Sequence, residues 1–147
     1  MCPSNTGIRS SSSTSYGAGF NSVGGGVYAG LIDSDGATVW FWPRDSIPGD
    51  ISAGTPLPSS WGTPMARWSS STCNPDQIFR NQAAIFTNTL CGQWAGGVWN
   101  TAGIPGQDQS CAQRTGFSTC EEFVRKNGAS FTQAYWEIKS VKIYERK

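Results

Sequence analysis

The apolar residues of this chain occur in short runs, and the clearest two runs predict a β-hairpin. Residues 27–32 form a strand-like run that ends in Asp-Ser-Asp-Gly at 33–36, a typical turn sequence. A second run follows at residues 37–42 and stops at Pro43. The turn lies directly between the two runs, so we expect them to pair as antiparallel strands.

The second strand of this hairpin has two apolar faces. Side chains alternate in direction along a strand, so Val39 and Phe41 are predicted on one face and Trp40 and Trp42 on the other. An edge or surface strand normally has one polar face. We therefore predict that this strand is central in its sheet.

Weaker alternation predicts two further strands. They cover residues 83–91 and 134–144, and the second changes phase at Ser140, which indicates a bulge. Residues 91–97 contain several glycines close together, so they are predicted to form a loop that carries Trp94.

One short helix is predicted near residues 119–127. The segment 118–128 combines an N-cap candidate, acidic residues in the first turn, basic residues in the last turn and a final Asn-Gly. Residues 43–64 are rich in proline and glycine and predict a long surface connection without regular structure. Residues 1–15 end in a Ser/Thr tract and are expected to be loop.

Composition supports an all-β protein of one domain spanning residues 1–147. Eighteen glycines, seven tryptophans and only 14% charged residues favour short strands and tight turns over long helices. Eleven basic residues balance ten acidic ones, so nucleic acid is not expected as a partner. No apolar run has the length of a membrane span, and no membrane association is predicted.

The cysteines indicate disulfides rather than a metal site. The five are Cys2, Cys73, Cys91, Cys111 and Cys120. They show no C-x-x-C pair, and the chain has no histidine, so we predict no metal and no other cofactor. Disulfides predict a secreted protein, although residues 1–7 do not form a signal peptide. The odd count leaves one thiol over, and Cys2 is the predicted one.

Several segments, in this order, resemble one family of fungal enzymes. They are residues 15–21, 24–29, 39–44, 61–64, 90–96, the helix that follows Cys120, and 134–144. The ordered set is similar to the C-terminal half of laminarinase-like endo-β-1,3(4)-glucanases of glycoside hydrolase family 16. The resemblance implies part of a concanavalin-like β-jelly-roll, a sandwich of antiparallel sheets whose open cleft holds a β-glucan.

The catalytic carboxylates of that family have no counterpart in this sequence. The resemblance implies a Glu-x-Asp-x-x-Glu stretch upstream of the matched region, because retaining hydrolysis needs two carboxyl groups roughly 5 Å apart. The chain contains no such stretch, and the sequence Trp-Glu-Ile-Lys around Glu137 lacks the middle Asp and the second Glu. We predict no catalytic residue here and no hydrolysis by this chain alone, which leaves its status as an enzyme open.

Aromatic residues are the candidates for glucan contact. Sugar rings stack on indoles while their hydroxyls hydrogen-bond at the rim, so a glucan cleft combines tryptophans with polar groups. Trp94 resembles the family's cleft tryptophan and is the first candidate, with Gln93 beside it. Trp40 and Trp42 fit either the cleft or the core, and Arg44 fits either a sugar contact or a loop anchor.

Two interpretations of function remain open at this stage. In the first, the chain is the glucan-binding part of a glucanase and pairs with a missing N-terminal half. In the second, it is a free-standing lectin-like, defence or immunomodulatory β-sandwich that has lost hydrolysis. A homodimer is possible in the second case because unpaired edge strands favour association.

Overall fold

The computed structural model describes residues 8, 10–72, 74–104 and 107–145. The chain divides into two compact units, Met1–Gln82 and Ala83–Lys147. Each unit has its own secondary structure, and the single domain expected from the sequence stays a prediction.

The first unit is built on a three-stranded antiparallel sheet. Its strands are β1 (Gly26–Asp33), β2 (Gly36–Pro43) and β3 (Ala66–Ser69), in the order β1-β2-β3. The predicted hairpin and the central position of its second strand are therefore confirmed. This antiparallel sheet is consistent with part of the expected β-jelly-roll. The second sheet that would complete a sandwich stays a prediction.

The hairpin turn is fixed by its side chains and by a glycine. The backbone N–H of Asp35 donates to Oδ1 of Asp33 at 3.0 Å, which stabilises the bend. Gly36 has a φ of +138°, a value that side-chain-bearing residues rarely adopt. It also lies directly against the backbone of Trp68 in β3, where a Cβ atom would collide with the Trp68 carbonyl.

The two faces of β2 pack as the alternation predicts. On one face, the ring of Phe41 lies 4.8 Å from Tyr28 and 6.0 Å from Phe20. On the other face, the rings of Trp40 and Trp42 each pack against Trp61 in a T-shaped arrangement at a centroid distance of 5.2 Å. Aromatic side chains from other segments therefore cover both faces of β2, so its own apolar side chains are shielded from solvent on both faces.

The described part of the first unit also contains short helices. They are α1 (Gly17–Ser22), α2 (Gly49–Ala53) and α3 (Pro75–Ile78), with 3₁₀ turns at Arg44–Ser46 and Pro58–Ser60. Of these, only α2 and the two 3₁₀ turns lie between strands. The prediction of no regular structure across 43–64 is wrong where α2 forms. α2 is only five residues long, and Gly54 ends it in the left-handed conformation with a φ of +80°.

The described residues of the second unit form three short helices. They are α4 (Gly92–Gly97), α5 (Cys111–Thr115) and α6 (Cys120–Lys126), followed by a 3₁₀ turn at Gly128–Phe131. The helix predicted near 119–127 is confirmed as α6, whose first turn is capped by the Thr119 side chain accepting from the N–H of Glu122 at 3.2 Å. The other helices were not predicted, because helices of four to seven residues carry too little periodicity.

The loop predicted for residues 91–97 is instead the helix α4. Cys91, the residue before α4, and Gly92, its first residue, have positive φ values of 70° and 75°, so the chain changes direction where the helix begins. The later glycines then take helical conformations. Glycine lowers the helix propensity of this segment. A short helix still forms, and the Cys91–Cys120 disulfide anchors its first end.

The strands predicted at 83–91 and 134–144 do not form in the described part of the chain. Both segments lack regular secondary structure. They lie beside each other, because the indole Nε1 of Trp136 donates to the Thr87 carbonyl at 2.9 Å and the ring of Phe86 is 6.0 Å from that of Trp136. A strand needs a neighbour that supplies a ladder of backbone hydrogen bonds, and neither segment has one.

Candidate functional site

A disulfide holds the start of α4 against the start of α6. Cys91 and Cys120 are bonded, with their Cα atoms 5.7 Å apart and a sequence separation of 29. Cys120 is only 5% exposed. Cys111 is free, whereas Cys2, the predicted leftover thiol, and Cys73 lie outside the described residues.

Trp94 is the most exposed large apolar residue of the described chain. It lies in the middle of α4 with 86% of its surface open to solvent. No described residue accepts a hydrogen bond from its indole nitrogen, and no other aromatic ring packs against it. An indole held out from a short, disulfide-anchored helix is available for stacking against a ligand.

A cavity of about 390 Å³ lies on another side of α4. Five residues with polar side chains line it, Gln93, Asn100, Ser118, Thr119 and Glu121, together with Trp99, Gly92, Gly96, Gly97 and Cys120. Trp94 does not line it. Consecutive side chains on a helix point about 100° apart, so Gln93 lies on the cavity side of α4 and Trp94 lies on a different face.

Trp99 gives this cavity a rigid wall. It is 7% exposed, and its indole Nε1 donates to the Phe117 carbonyl at 2.9 Å. Its ring lies 5.8 Å from that of Phe123 on α6. The position of Trp99 in the cavity wall therefore depends on its contacts with Phe117 and Phe123, which are distant from it in sequence.

Glu121 is the one charged residue among the described residues that line the cavity. Its side chain makes no hydrogen bond or ion pair with any described residue. Glu122, its neighbour, is paired with Lys126 at 2.7 Å, and this hydrogen bond and charge hold the pKa of Glu122 below its usual range. A free carboxylate beside amide and hydroxyl groups suits hydroxyl donors and disfavours an anion.

The remaining predicted site residues belong to the first unit. Trp40 is 6% exposed, and its Nε1 donates to the Gly62 carbonyl at 3.2 Å, so it is mainly a core residue. Trp42 is half-buried against Trp61. Arg44 is exposed and its Nε donates to the Gly24 carbonyl at 3.1 Å, so it anchors the glycine turn.

The sequence did not single out some residues that shape these surroundings. Trp61 joins the indoles of β2 and donates from Nε1 to Oδ2 of Asp50 at 2.7 Å. Trp99, Asn100 and Glu121 line the cavity, and the sequence indicates Glu121 only as one of the acidic residues in the first turn of the predicted helix. These residues carry no local motif, and only the folded chain brings them to their partners.

Within the described residues, no group of three or more His, Cys, Asp or Glu side chains is placed to hold a metal ion. In the same part of the chain, none of the helices has the length and apolarity needed to span a bilayer.

A family model for the XgeA-like catalytic domain of glycoside hydrolase family 16 matches residues 2–144. The chain therefore belongs to glycoside hydrolase family 16, and within it to the XgeA-like group.

Curated fungal proteins agree with this assignment. A probable glycosidase of Schizosaccharomyces pombe is 39% identical over 140 residues, which are 95% of this chain and 30% of the relative. The endo-1,3(4)-β-glucanase xgeA of Emericella nidulans is 44% identical over 131 residues, 89% of this chain and 20% of the relative. The chain thus spans less than a third of the length of these relatives.

A solved family 16 β-1,3-glucosyltransferase, described as elongating, shows a local likeness. It is 41% identical, with a TM-score of 0.42, over 45% of this chain and 22% of the solved chain.

Proposed function

We infer that this chain is the β-1,3(4)-glucan-binding portion of a family 16 catalytic domain and does not hydrolyse glucan alone. The observation that carries this proposal is Trp94, which stands 86% exposed on a helix fixed by the Cys91–Cys120 disulfide. Named relatives are endo-1,3(4)-β-glucanases, so a β-glucan is the ligand to be expected.

The chemistry of the site supports stacking on a neutral sugar chain. An indole offers an apolar face to the C–H groups of a pyranose ring, and exposure leaves that face free. On a different face of α4 from Trp94, the amide of Gln93 and the carboxylate of Glu121 line the cavity and offer partners for hydroxyl groups. No basic side chain lines the cavity, which favours a neutral ligand over a charged one.

The proposed lack of hydrolysis follows from the sequence. The Glu-x-Asp-x-x-Glu stretch is absent from all 147 residues. Glu137, the nearest resemblance to it, is an exposed residue in the irregular segment after the last helical turn. On this proposal another portion of a family 16 domain supplies the carboxylate pair, and the disulfide suits a secreted protein.

Laminarin binding tests this function directly. We expect measurable affinity for the purified chain and at least a tenfold loss in Trp94→Ala, because the stacking surface is removed. Trp136→Ala is the matched control, since Trp136 is also exposed, at 61%, but already donates its indole N–H to Thr87. Equal affinities of wild type and Trp94→Ala would refute the proposed site.

Reducing-sugar release tests the catalytic part of the proposal. The chain alone should release no sugar from laminarin or lichenan above the level of a buffer control. Sustained turnover by the purified chain would show that two of its own carboxylates act as a pair.

A further inference from the structure

The cavity beside α4 is lined by three polar residues whose side chains have no partner in the described chain. They are Gln93, Asn100 and Glu121. None of the three side chains makes a hydrogen bond or an ion pair with a described residue. A side-chain amide offers N–H donors and a carbonyl acceptor, whereas an ionised carboxylate only accepts. Donors and acceptors of both kinds are therefore free for a ligand in this cavity.

The Glu121 carboxylate lies close to the backbone of α4. A Cβ atom added to Gly96 would lie 3.5 Å from Oε1 of Glu121. Glu121 belongs to α6 and Gly96 to α4, and both residues line the cavity. The carboxylate is therefore positioned between the two helices, and the missing side chain at Gly96 leaves room for it.

The walls of the cavity are fixed before any ligand binds. The Cys91–Cys120 disulfide joins the start of α4 to the start of α6. Trp99, which is 7% exposed, donates from its indole to the Phe117 carbonyl, and its own carbonyl accepts from the Ala112 N–H at 3.2 Å. A preformed site loses less conformational entropy on binding than one that must be ordered by its ligand.

The size and the chemistry of the cavity suit one sugar ring. Its volume of about 390 Å³ is near the lower end of the range typical of small-molecule sites, roughly 300–1,000 Å³. An indole, two amides and one carboxylate together offer an apolar wall and hydrogen-bond partners for hydroxyl groups. The carboxylate repels an anion, and one carboxylate is too few for a site that prefers several charged oxygen ligands, such as a calcium site.

We propose that this cavity is a second binding site, separate from the Trp94 face of α4, for one neutral pyranose unit. Trp94 does not line the cavity, so the ring held in the cavity is not the ring that stacks on Trp94. The unit is a free monosaccharide glycoside or the end of a glucan chain, since both present the same hydroxyl groups. The inference goes beyond the proposed contact at Trp94 and does not depend on it.

Methyl β-glucoside is the probe for this site, because named relatives are endo-1,3(4)-β-glucanases. It is added to the isotope-labelled full chain, and NMR spectra follow the side-chain amides of Gln93 and Asn100 and the indole of Trp99. We expect saturable shifts of these signals with a dissociation constant in the millimolar range, since a single ring offers few contacts. Trp94→Ala should show the same shifts and the same affinity. No saturable shift of the cavity signals, or their loss in Trp94→Ala, would overturn the proposal.

Two substitutions on one helix test the role of the carboxylate. Glu121→Gln keeps the shape of the side chain but replaces a charged acceptor by a neutral one, so affinity for the probe should fall about fivefold. Glu122→Gln is the matched control, because Glu122 pairs with Lys126 and does not line the cavity. It should bind as the wild type does. Equal affinities of Glu121→Gln and Glu122→Gln would contradict a sugar site at Glu121.

Thermal midpoints check that Glu121→Gln is folded. The Glu121 side chain is exposed and has no partner in the described chain, so its substitution should leave the midpoint unchanged. Asn100→Ala is a second, independent variant, which removes one amide from the cavity and should also weaken probe binding. Wild-type affinity in Asn100→Ala would refute a contact between the sugar and this amide.

A comparison of chain lengths identifies the source of the sugar unit. Laminaritriose that binds more tightly than methyl β-glucoside, and that loses affinity in Glu121→Gln, would assign the cavity to the end of a glucan chain. Equal affinities of the two ligands would assign it to a free unit. The laminarin affinity of Trp94→Ala, measured in parallel, tests the contact at Trp94 alone, because that variant leaves the cavity residues unchanged.

Discussion

Cys91 is bonded by a disulfide to Cys120, with their Cα atoms 5.7 Å apart. Cys91 lies directly before α4, and Cys120 is the first residue of α6. This bond sets the position of Trp94, three residues into the helix, relative to the cavity wall on α6. The candidate glucan contact therefore depends on a covalent link between two short helices that would be unstable in isolation.

Removing the disulfide should destabilise the second unit. Cys91→Ser combined with Cys120→Ser opens a loop with 29 residues of sequence separation, which is expected to cost about 3–4 kcal/mol of unfolding free energy. Chemical denaturation followed by tryptophan fluorescence measures this loss. Cys111→Ser, which removes a free thiol, should change the midpoint little, and an equally large effect there would contradict the assignment.

A methyl group at the hairpin turn should be poorly tolerated. Gly36→Ala places a Cβ against the Trp68 carbonyl and forces alanine into a φ of +138°, which should cost at least about 1–3 kcal/mol. Gly30→Ala in β1 is the matched control, because nothing lies within 4 Å of its added Cβ. Thermal unfolding of both variants checks the prediction, and equal midpoints would refute it.

Trp40 should prove to be structural rather than a sugar contact. It is 6% exposed and bonded to the Gly62 carbonyl, so Trp40→Ala should destabilise the first unit by about 3–5 kcal/mol. Trp42→Ala should cost less, since Trp42 is only half-buried. Urea unfolding gives both values. A Trp40→Ala protein of normal stability but lost laminarin affinity would show that Trp40 contacts glucan.

Acid should weaken the packing around Asp50. Two hydrogen bonds hold the pKa of Asp50 below its usual 3.8, mainly the one from the Leu57 N–H and to a smaller extent the one from the Trp61 indole. Desolvation of the carboxylate acts in the opposite direction. The ionised carboxylate therefore contributes stability above the unfolded-state pKa, and this contribution disappears as pH falls through the lower folded-state pKa.

Two variants isolate this effect. Asp50→Asn should flatten the acid dependence of the thermal midpoint below about pH 4. Trp61→Phe keeps the ring against Trp40 but removes the N–H donor, so an intermediate profile is expected. A wild-type acid profile in Asp50→Asn would rule out this source of stability.

The first hairpin could be predicted because its signals are local. The turn at 33–36 and the alternation through β2 involve residues next to each other in sequence, and the structure confirms both. The helix α6 was predictable for the same reason, since its cap and its charged turns lie within one short segment.

The candidate site was predictable only in part. Trp94 could be singled out through its family resemblance, and its 86% exposure is compatible with that role. The separation of Gln93 onto the cavity side depends on α4 being a helix, which its glycines concealed. Glu121 and Trp99 join that cavity only through the disulfide and the aromatic packing around Phe123.

The sequence by itself determined the hairpin, α6, the family and the absence of a Glu-x-Asp-x-x-Glu stretch. Each of these depends on residues that lie close together in short sequence segments. The tertiary structure decided which cysteines pair, which tryptophan is buried, and that 83–91 and 134–144 are not strands. The physical reason is that alternation makes a segment capable of pairing, whereas a strand exists only when a second backbone completes its hydrogen bonds.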